Sequence, residues 1–313
     1  MKAVEARGLN GTQNRKEDDL FRLELNGKTL EAPPCKVFTD AHMLHPDLKK
    51  LFSAQKIAFM AIDLDETLVV YGDKAQEATY FCALLHCFVR PSSLTESEKE
   101  EFSLELWALV EEIHHFGQYH RLAPETYSLI AGRGLMGKVL DHKQMDSFIT
   151  PVRTELVVPS LLEAGYLRRA DGANRLLCAL LLEGIVGRIL TMTPREPALK
   201  YVDHLIDSDV GKPCFHGTGA TFGDAVEKKK PELFALEFWC AQNGARKENT
   251  AVIDDTFAFI ENCLHGGVGA AIWRMTPKAE INATLRARAE VLKEKFGDRL
   301  VIIRTLDELT VKA

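Results

Sequence analysis

From residue 57 the chain runs Ile57-Ala-Phe-Met-Ala-Ile62 without a polar side chain and then meets Asp63. An apolar run of this length with no alternation predicts a strand buried on both faces, as in a parallel sheet. Shorter apolar runs over 187–191, 250–253, 269–273 and 299–303 predict further strands. Between them, helical patterns run over 172–183, closed by Gly184, and over 194–206, with a proline in the first turn. Two more follow over 231–243, closed by Gly244, and over 280–296, and Leu306 to Leu309 closes the chain. Strands alternating with helices predict an α/β fold: a doubly wound parallel sheet covered on both faces.

The stretch 74–168 has a different pattern. It reads as mostly helical, with no convincing strand. A helix over 74–89 ends at Arg90-Pro91, and Thr95-Glu-Ser-Glu98 is a capping box that opens a second helix toward His115. Further helices are predicted over 123–130, 136–140, 143–149 and 158–164. Upstream, alternation around Asn26-Gly27 predicts a hairpin over 21–31, and His45-Pro46 starts a short helix over 47–52. The predicted organisation is an N-terminal extension over 1–55, partly disordered, a core made of 56–70 and 171–313, and an all-helical cap over 71–170 inserted after the first strand.

Composition adds bounds. Hydrophobic residues make up 46% and charged residues 27%, enough for a sizeable core. A net charge of -6 and a pI near 6.0 argue against a nucleic-acid partner. The first nineteen residues lack the apolar region of a signal peptide, and the longest apolar run, 176–182, is too short to cross a bilayer. The expectation is a soluble cytoplasmic protein with no membrane partner. Its seven cysteines include no CxxC pair and read as reduced thiols. No pattern bears on oligomeric state.

The candidate chemistry lies at the C-terminal ends of the predicted strands, the edge at which open α/β sheets bind ligands. Asp63-Leu64-Asp65-Glu66-Thr67 follows the first strand, Thr191 ends the second, and Asp254-Asp255 ends the third. Lys228-Lys229-Lys230 precedes the helix that begins at Pro231. Crowded carboxylates are costly unless a cation neutralises them. All-oxygen ligation suits magnesium. An aspartate can attack phosphorus and divide the reaction through an aspartyl-phosphate, while a lysine and a threonine hydroxyl steady the phosphoryl oxygens. His114, His115 and His120 lack metal-ligand spacing and read as packing or surface residues. Residues 217–223 read as a flexible loop.

The order Asp-x-Asp-x-Thr, Thr after a strand, Lys, then Asp-Asp resembles the haloacid dehalogenase superfamily, over 57–70 and about 171–309. It looks most like the branch with a helical cap between the first and second motifs. The resemblance implies Asp63 as nucleophile and magnesium ligand, and Asp65 as the acid that protonates the leaving oxygen, its backbone carbonyl also touching the metal. It implies Thr67, Thr191 and Lys228 around the phosphoryl group, and Asp254 with Asp255 completing the Mg2+ site. Lys230 or Lys212 could take the lysine role, and Thr193 that of Thr191. The aspartate that many relatives carry four residues further on is here Phe259. The resemblance implies, through Asp65, a phosphatase or phosphomutase rather than an enzyme of carbon–halogen cleavage. The implied activity is hydrolysis of a small phosphorylated substrate, a phosphomonoester. A phosphoprotein phosphatase of the same chemistry, or a non-catalytic binding protein on this fold, are the alternatives.

Overall fold

The computed structural model describes residues 21–25, 28–32, 42–72, 74–115, 121–136, 141–226 and 230–312. The described residues up to Ala32 belong to one unit and those from His42 on to another. The first contains an antiparallel pair, β1 (Phe21–Leu25) and β2 (Lys28–Ala32), with Phe21 opposite Ala32 and Leu25 opposite Lys28. The hairpin is thus present, while its Asn26-Gly27 turn and the tail over 1–19 lie outside the described residues.

The second unit begins with β3 (His42–Leu44) and α1 (Pro46–Ala54), followed by β4 (Phe59–Ile62) and β5 (Val69–Tyr71). Helices α2 (Ala75–Leu84), α3 (Glu96–His115), α4 (Leu122–Gly132), α5 (His142–Val152) and α6 (Val158–Glu163) come next, then β6 (Leu167–Arg169). From there the chain alternates: α7 (Ala173–Leu182), β7 (Val186–Ile189), α8 (Arg195–Leu205), α9 (Ser208–Phe215), α10 (Phe234–Asn243), β8 (Thr250–Asp254), α11 (Phe257–His265) and β9 (Ala270–Arg274). It ends with α12 (Pro277–Ile281), α13 (Ala283–Phe296), β10 (Leu300–Ile303) and β11 (Thr310–Lys312).

Five of these strands form one parallel sheet in the order β10-β9-β8-β4-β7. Register lines up Leu300, Ala271, Val252 and Ala61 across four strands, and these four side chains share one apolar cluster with α10, α11 and α13. On the other face Gly187 makes room for helices: a side chain there would meet Leu180 of α7 and Cys214 of α9. Both faces are therefore covered, which is why β4 and its neighbours carry apolar runs without alternation. The fold is the doubly wound α/β architecture that the strand–helix alternation predicts.

Helices α2 to α6 surround a separate cluster that includes Phe88, Phe102, Leu106, Ile130, Met145 and Ile149. Thr95 caps α3 as expected: Glu98 N donates to the Thr95 hydroxyl at 3.4 Å, and Thr95 N donates to the Glu98 carboxylate at 2.8 Å. The chain leaves for this block along β5 and returns along β6, with Val69 opposite Arg169 and Tyr71 opposite Leu167. The stretch 74–168 was expected to hold no strand, and β6 begins within it. A three-residue strand whose side chains read Leu-Arg-Arg carries too little alternation to register as a pattern.

The N-terminal boundary also differs. β3 pairs antiparallel with β11, Leu44 opposite Thr310, and lies against α7, while α1 buries Leu48 and Phe52. Residues 42–54 thus belong to the same compact unit as the core. The predicted helix over 280–296 is two helices, because Asn282 turns out of the helix and caps Leu285 N at 3.1 Å. Helix α9 was not anticipated. Among the described residues no helix is long and apolar enough to cross a membrane.

Residues 217–223 form a loop, as expected, that meets the sheet edge at Thr221. Thr221 bridges Leu190 in parallel, donates its N–H to Ile189 O at 2.9 Å and its hydroxyl to Gln242 at 2.9 Å. Gly223 N then donates to Thr193 O at 3.0 Å, and the backbones come so close that a Cβ on Gly223 would lie well inside contact distance of the Met192 carbonyl. Only glycine permits this approach. Gly223→Ala is expected to cost about 1–3 kcal/mol in urea unfolding, because backbone rather than a side-chain tip must move. A midpoint equal to that of the wild type would show that the close approach is dispensable.

Candidate active site

The C-terminal edge of the sheet brings three strand ends together. Asp63 directly follows β4, Asp254 is the last residue of β8 with Asp255 next, and Leu190-Thr191 follow β7. Strand pairing fixes their height: Asp63 N donates to Ile253 O at 3.0 Å, and Leu190 N to Ile62 O at 2.8 Å. Asp63 is 6% exposed and Asp254 1%. One carboxylate oxygen from each of Asp63, Asp254 and Asp255 lies within 4.8 Å of the others.

Among the described residues, one buried ammonium stands against these charges. Lys230 Nζ donates to Asp63 Oδ1 at 2.7 Å, to Asp254 Oδ2 at 2.5 Å and to Leu190 O at 2.8 Å. Its fourth side is the ring of Phe259, 4.9 Å from Nζ to the centroid, a cation–π contact. Phe259 is fully buried beneath the lysine. The lysine expected from spacing was Lys228, which lies outside the described residues. Among the described residues Lys230, next to Pro231, is the lysine that reaches the carboxylates, and its backbone N–H donates to Met192 Sδ at 3.4 Å. Lys212 is on the exposed face of α9.

Burial pushes the Asp63 carboxyl up to about 8, with Asp254 and Asp65 adding to the rise and Lys230 opposing it. Burial, followed by Asp254 and Asp63, likewise holds Asp255 well above the usual carboxylate range. Burial alone would lower Lys230, but Asp254 and Asp63 outweigh it and raise the ammonium above the ordinary lysine value. One cation therefore leaves the three carboxylates undercompensated. Their all-oxygen donor set, converging within one small sphere, fits a hard divalent cation. Asp63, Asp254 and Asp255 could hold it.

Asp65 forms a second centre. The turn after β4 closes with Thr67, Leu68 and Val69 N–H groups all on Leu64 O, at 3.2, 2.9 and 2.9 Å. Glu66 takes a left-handed φ of 54° at its apex. This turn swings Asp65 away from the metal-type cluster and into a set of hydroxyls. Tyr71 Oη donates to Oδ1 at 2.5 Å, Thr191 Oγ1 to Oδ2 at 3.2 Å, and Thr193 Oγ1 also to Oδ2. Thr193 N donates to Thr191 Oγ1 at 3.1 Å, so the two threonines act as one strap. Arg274, at the end of β9, donates to Glu66 O and holds the turn in place.

The sequence-predicted residues thus divide. Asp63, Asp254 and Asp255 meet at one centre and Asp65 and Thr191 at another. The Thr67 hydroxyl is fully buried and has no hydrogen-bond partner among the described residues. Tyr71 was not foreseen. Its only signal was its six-residue spacing from Asp65, and its direction depends on the β5–β6 pairing.

No family model matches the chain, and no curated protein matches it. Solved structures do. A HAD hydrolase of family IA, variant 3, from Entamoeba histolytica HM-1:IMSS aligns at 17% identity and a TM-score of 0.50, covering 82% of this chain and 96% of that one. A predicted phosphoglycolate phosphatase from Haemophilus somnus 129PT aligns at 14% identity and 0.48, over 80% and 96%. A dehalogenase aligns at 12% and 0.42, over 81% and 95%. The chain has the fold of the haloacid dehalogenase hydrolases.

Proposed function

We propose that this protein is a magnesium-dependent phosphatase that hydrolyses a small phosphomonoester through an aspartyl-phosphate on Asp63. The observation that carries this reading is the division of labour between two acids two residues apart. Asp63 faces a lysine and two more carboxylates, while Asp65 is held apart by hydroxyls. A nucleophilic aspartate must be ionised when it attacks, and Lys230, together with a bound cation, would hold Asp63 as the anion against the rise that burial imposes. A general acid–base needs a carboxyl turned toward the leaving oxygen.

In this reading Asp63 attacks phosphorus with a carboxylate oxygen, and the bond to the leaving oxygen breaks as Asp65 gives that oxygen its proton. Water then attacks the phosphoryl group, surrendering a proton to Asp65, and Asp63 departs as carboxylate. Lys230 steadies Asp63 and the phosphoryl oxygens throughout, and the Thr191-Thr193 strap faces the same group. Magnesium, when bound by Asp63, Asp254, Asp255 and the Asp65 carbonyl, supplies positive charge to the phosphoryl oxygens. The helical block between β5 and β6 acts as the cap. The 6% exposure of Asp63 favours a small ester over a phosphorylated polymer.

The first test is phosphate release from a panel of phosphomonoesters and phosphopeptides. Release is expected to need magnesium, to stop with EDTA, and to fall by at least about 1000-fold in a folded Asp63→Asn variant. Full activity in that variant would remove Asp63 from the chemistry. Release from phosphopeptides alone would mean a phosphoprotein phosphatase, and binding of a phosphate mimic without turnover a non-catalytic protein.

Single substitutions separate the lysines. Lys230→Ala is expected to lower kcat by about 100-fold or more, and Lys228→Ala by less than about threefold. The reverse order in steady-state kinetics would return the role to Lys228.

Magnesium binding should also be visible in stability. With Asp63 at about 8 when folded and 3.8 ordinarily, the folded protein keeps a proton that the unfolded chain has lost. Stability therefore falls as pH rises between about pH 4 and about pH 8. Ionised carboxylates bind the cation and protons compete with it. Added MgCl2 is expected to raise Tm more at pH 8 than at pH 6, and Asp255→Asn to remove most of that rise. Equal Tm with and without MgCl2 at both pH values would count against a metal site.

A further inference from the structure

Tyr71 is the last residue of β5, at the root of the helical block, and its side chain is committed to the turn that carries the two acids. Its hydroxyl donates to Asp65 Oδ1 at 2.5 Å and its backbone N–H to Glu66 Oε1 at 3.2 Å. Both ends of the residue are thus tied to the Asp65-Glu66 segment. The ring packs edge-on against Tyr201 of α8, with centroids 6.4 Å apart and planes at 87°, and Tyr201 is itself 1% exposed. Strand pairing with Leu167 and the Gly72 N–H on Tyr166 O, at 2.6 Å, fix the backbone. Nothing about this anchoring depends on a long flexible side chain, so the hydroxyl is delivered to one place.

The consequence is geometric. A carboxylate on an aspartate turns freely about χ2 unless both oxygens are held. Here Oδ2 takes the Thr191 and Thr193 hydroxyls and Oδ1 takes Tyr71. Without Tyr71 Oη, the carboxylate is left hinged on the threonine side. Thr191 and Thr193 come from the loop after β7 and Tyr71 from β5, so two independent elements clamp one carboxyl group. Clamping of this kind is what a proton donor needs if its proton is to point at a leaving oxygen, because misplacement by about 1 Å can cost 100-fold in rate.

We propose that Tyr71 is a positioning residue for Asp65, orienting its carboxyl group toward the leaving oxygen of the substrate. The proposal rests on the phosphatase reading above and gives Tyr71 no direct contact with substrate. In kcat/KM its effect enters through the step in which the leaving group takes a proton, because water gives its proton to Asp65 only after that group has gone. Esters whose leaving group departs readily as an anion need that proton little, whereas poor leaving groups depend on it.

The test is kcat/KM for Tyr71→Phe across substituted phenyl phosphates, from p-nitrophenyl phosphate to phenyl phosphate and on to an alkyl phosphate. Phenylalanine keeps the ring against Tyr201 and removes only the hydroxyl. The loss on the poorest leaving group is expected to exceed the loss on p-nitrophenyl phosphate by about tenfold, with KM changed by less than about twofold. A parallel loss across the series, or no loss, overturns the proposal. Asp65→Asn is measured on the same series. A steepened dependence in Asp65→Asn beside a parallel one in Tyr71→Phe overturns the role of Tyr71 alone. An unsteepened dependence in Asp65→Asn removes the acid role of Asp65, and the proposal falls with that reading. A crystal structure of Tyr71→Phe gives an answer independent of turnover. The Asp65 carboxyl group is expected to turn away from its place between β5 and the threonine strap, and an unmoved carboxyl group overturns the proposal.

Discussion

Two buried carboxylates and a partly buried third meet at the ends of two neighbouring strands, and the ammonium of Lys230 is set among them. Burial first, and then the neighbouring like charges, push Asp63 and Asp255 toward their neutral forms. The arrangement persists because the groups are held by other things. Strand pairing between β4 and β8 fixes Asp63 and Asp254 side by side. The ammonium is fixed by two carboxylates, a backbone carbonyl and an aromatic face. Removing one partner of such a buried cluster leaves an uncompensated charge, which is far more damaging than the cluster itself is stabilising.

Phe259 illustrates how the cluster is tuned. An aspartate at this first turn of α11 would place a fourth carboxylate near Lys230. The phenyl ring instead closes the apolar side of the lysine and joins the cluster that includes Trp239 and Trp273. The site is thereby left with three carboxylates around the cation position, and the sheet's apolar packing reaches to the ammonium.

The turn after β4 separates the two acids. With three N–H groups converging on Leu64 O and Glu66 in the left-handed region, consecutive side chains project in different directions over a very short span. Asp63 stays on the strand axis with the lysine. Asp65 is carried toward the β5–β6 pair and the strap after β7. Residues from four parts of the chain, at 63–71, 191–193, 230 and 254–255, therefore meet on one edge of the sheet, with the helical block joined to it by two short strands.

Most of the fold was legible in the sequence because burial on both faces writes long apolar runs, and helix ends write their caps: Ile57–Ile62 for β4, Thr95 and Glu98 for α3, Gly184 and Gly244 after α7 and α10. The acids of the site were legible for a related reason, since a carboxylate directly after a buried apolar strand is costly unless a cation or ligand meets it at the sheet edge. What the sequence left open was decided by contacts between distant segments. Short strands such as β3, β6 and β11 exist only because a partner pairs with them, so no periodicity of their own marks them. Three adjacent lysines differ little as sequence, and only the tertiary structure brings Lys230 to Asp63. The hydroxyls on Asp65 come from β5 and from beyond β7. Such a clamp depends on side-chain direction in three dimensions, which spacing along the chain does not encode.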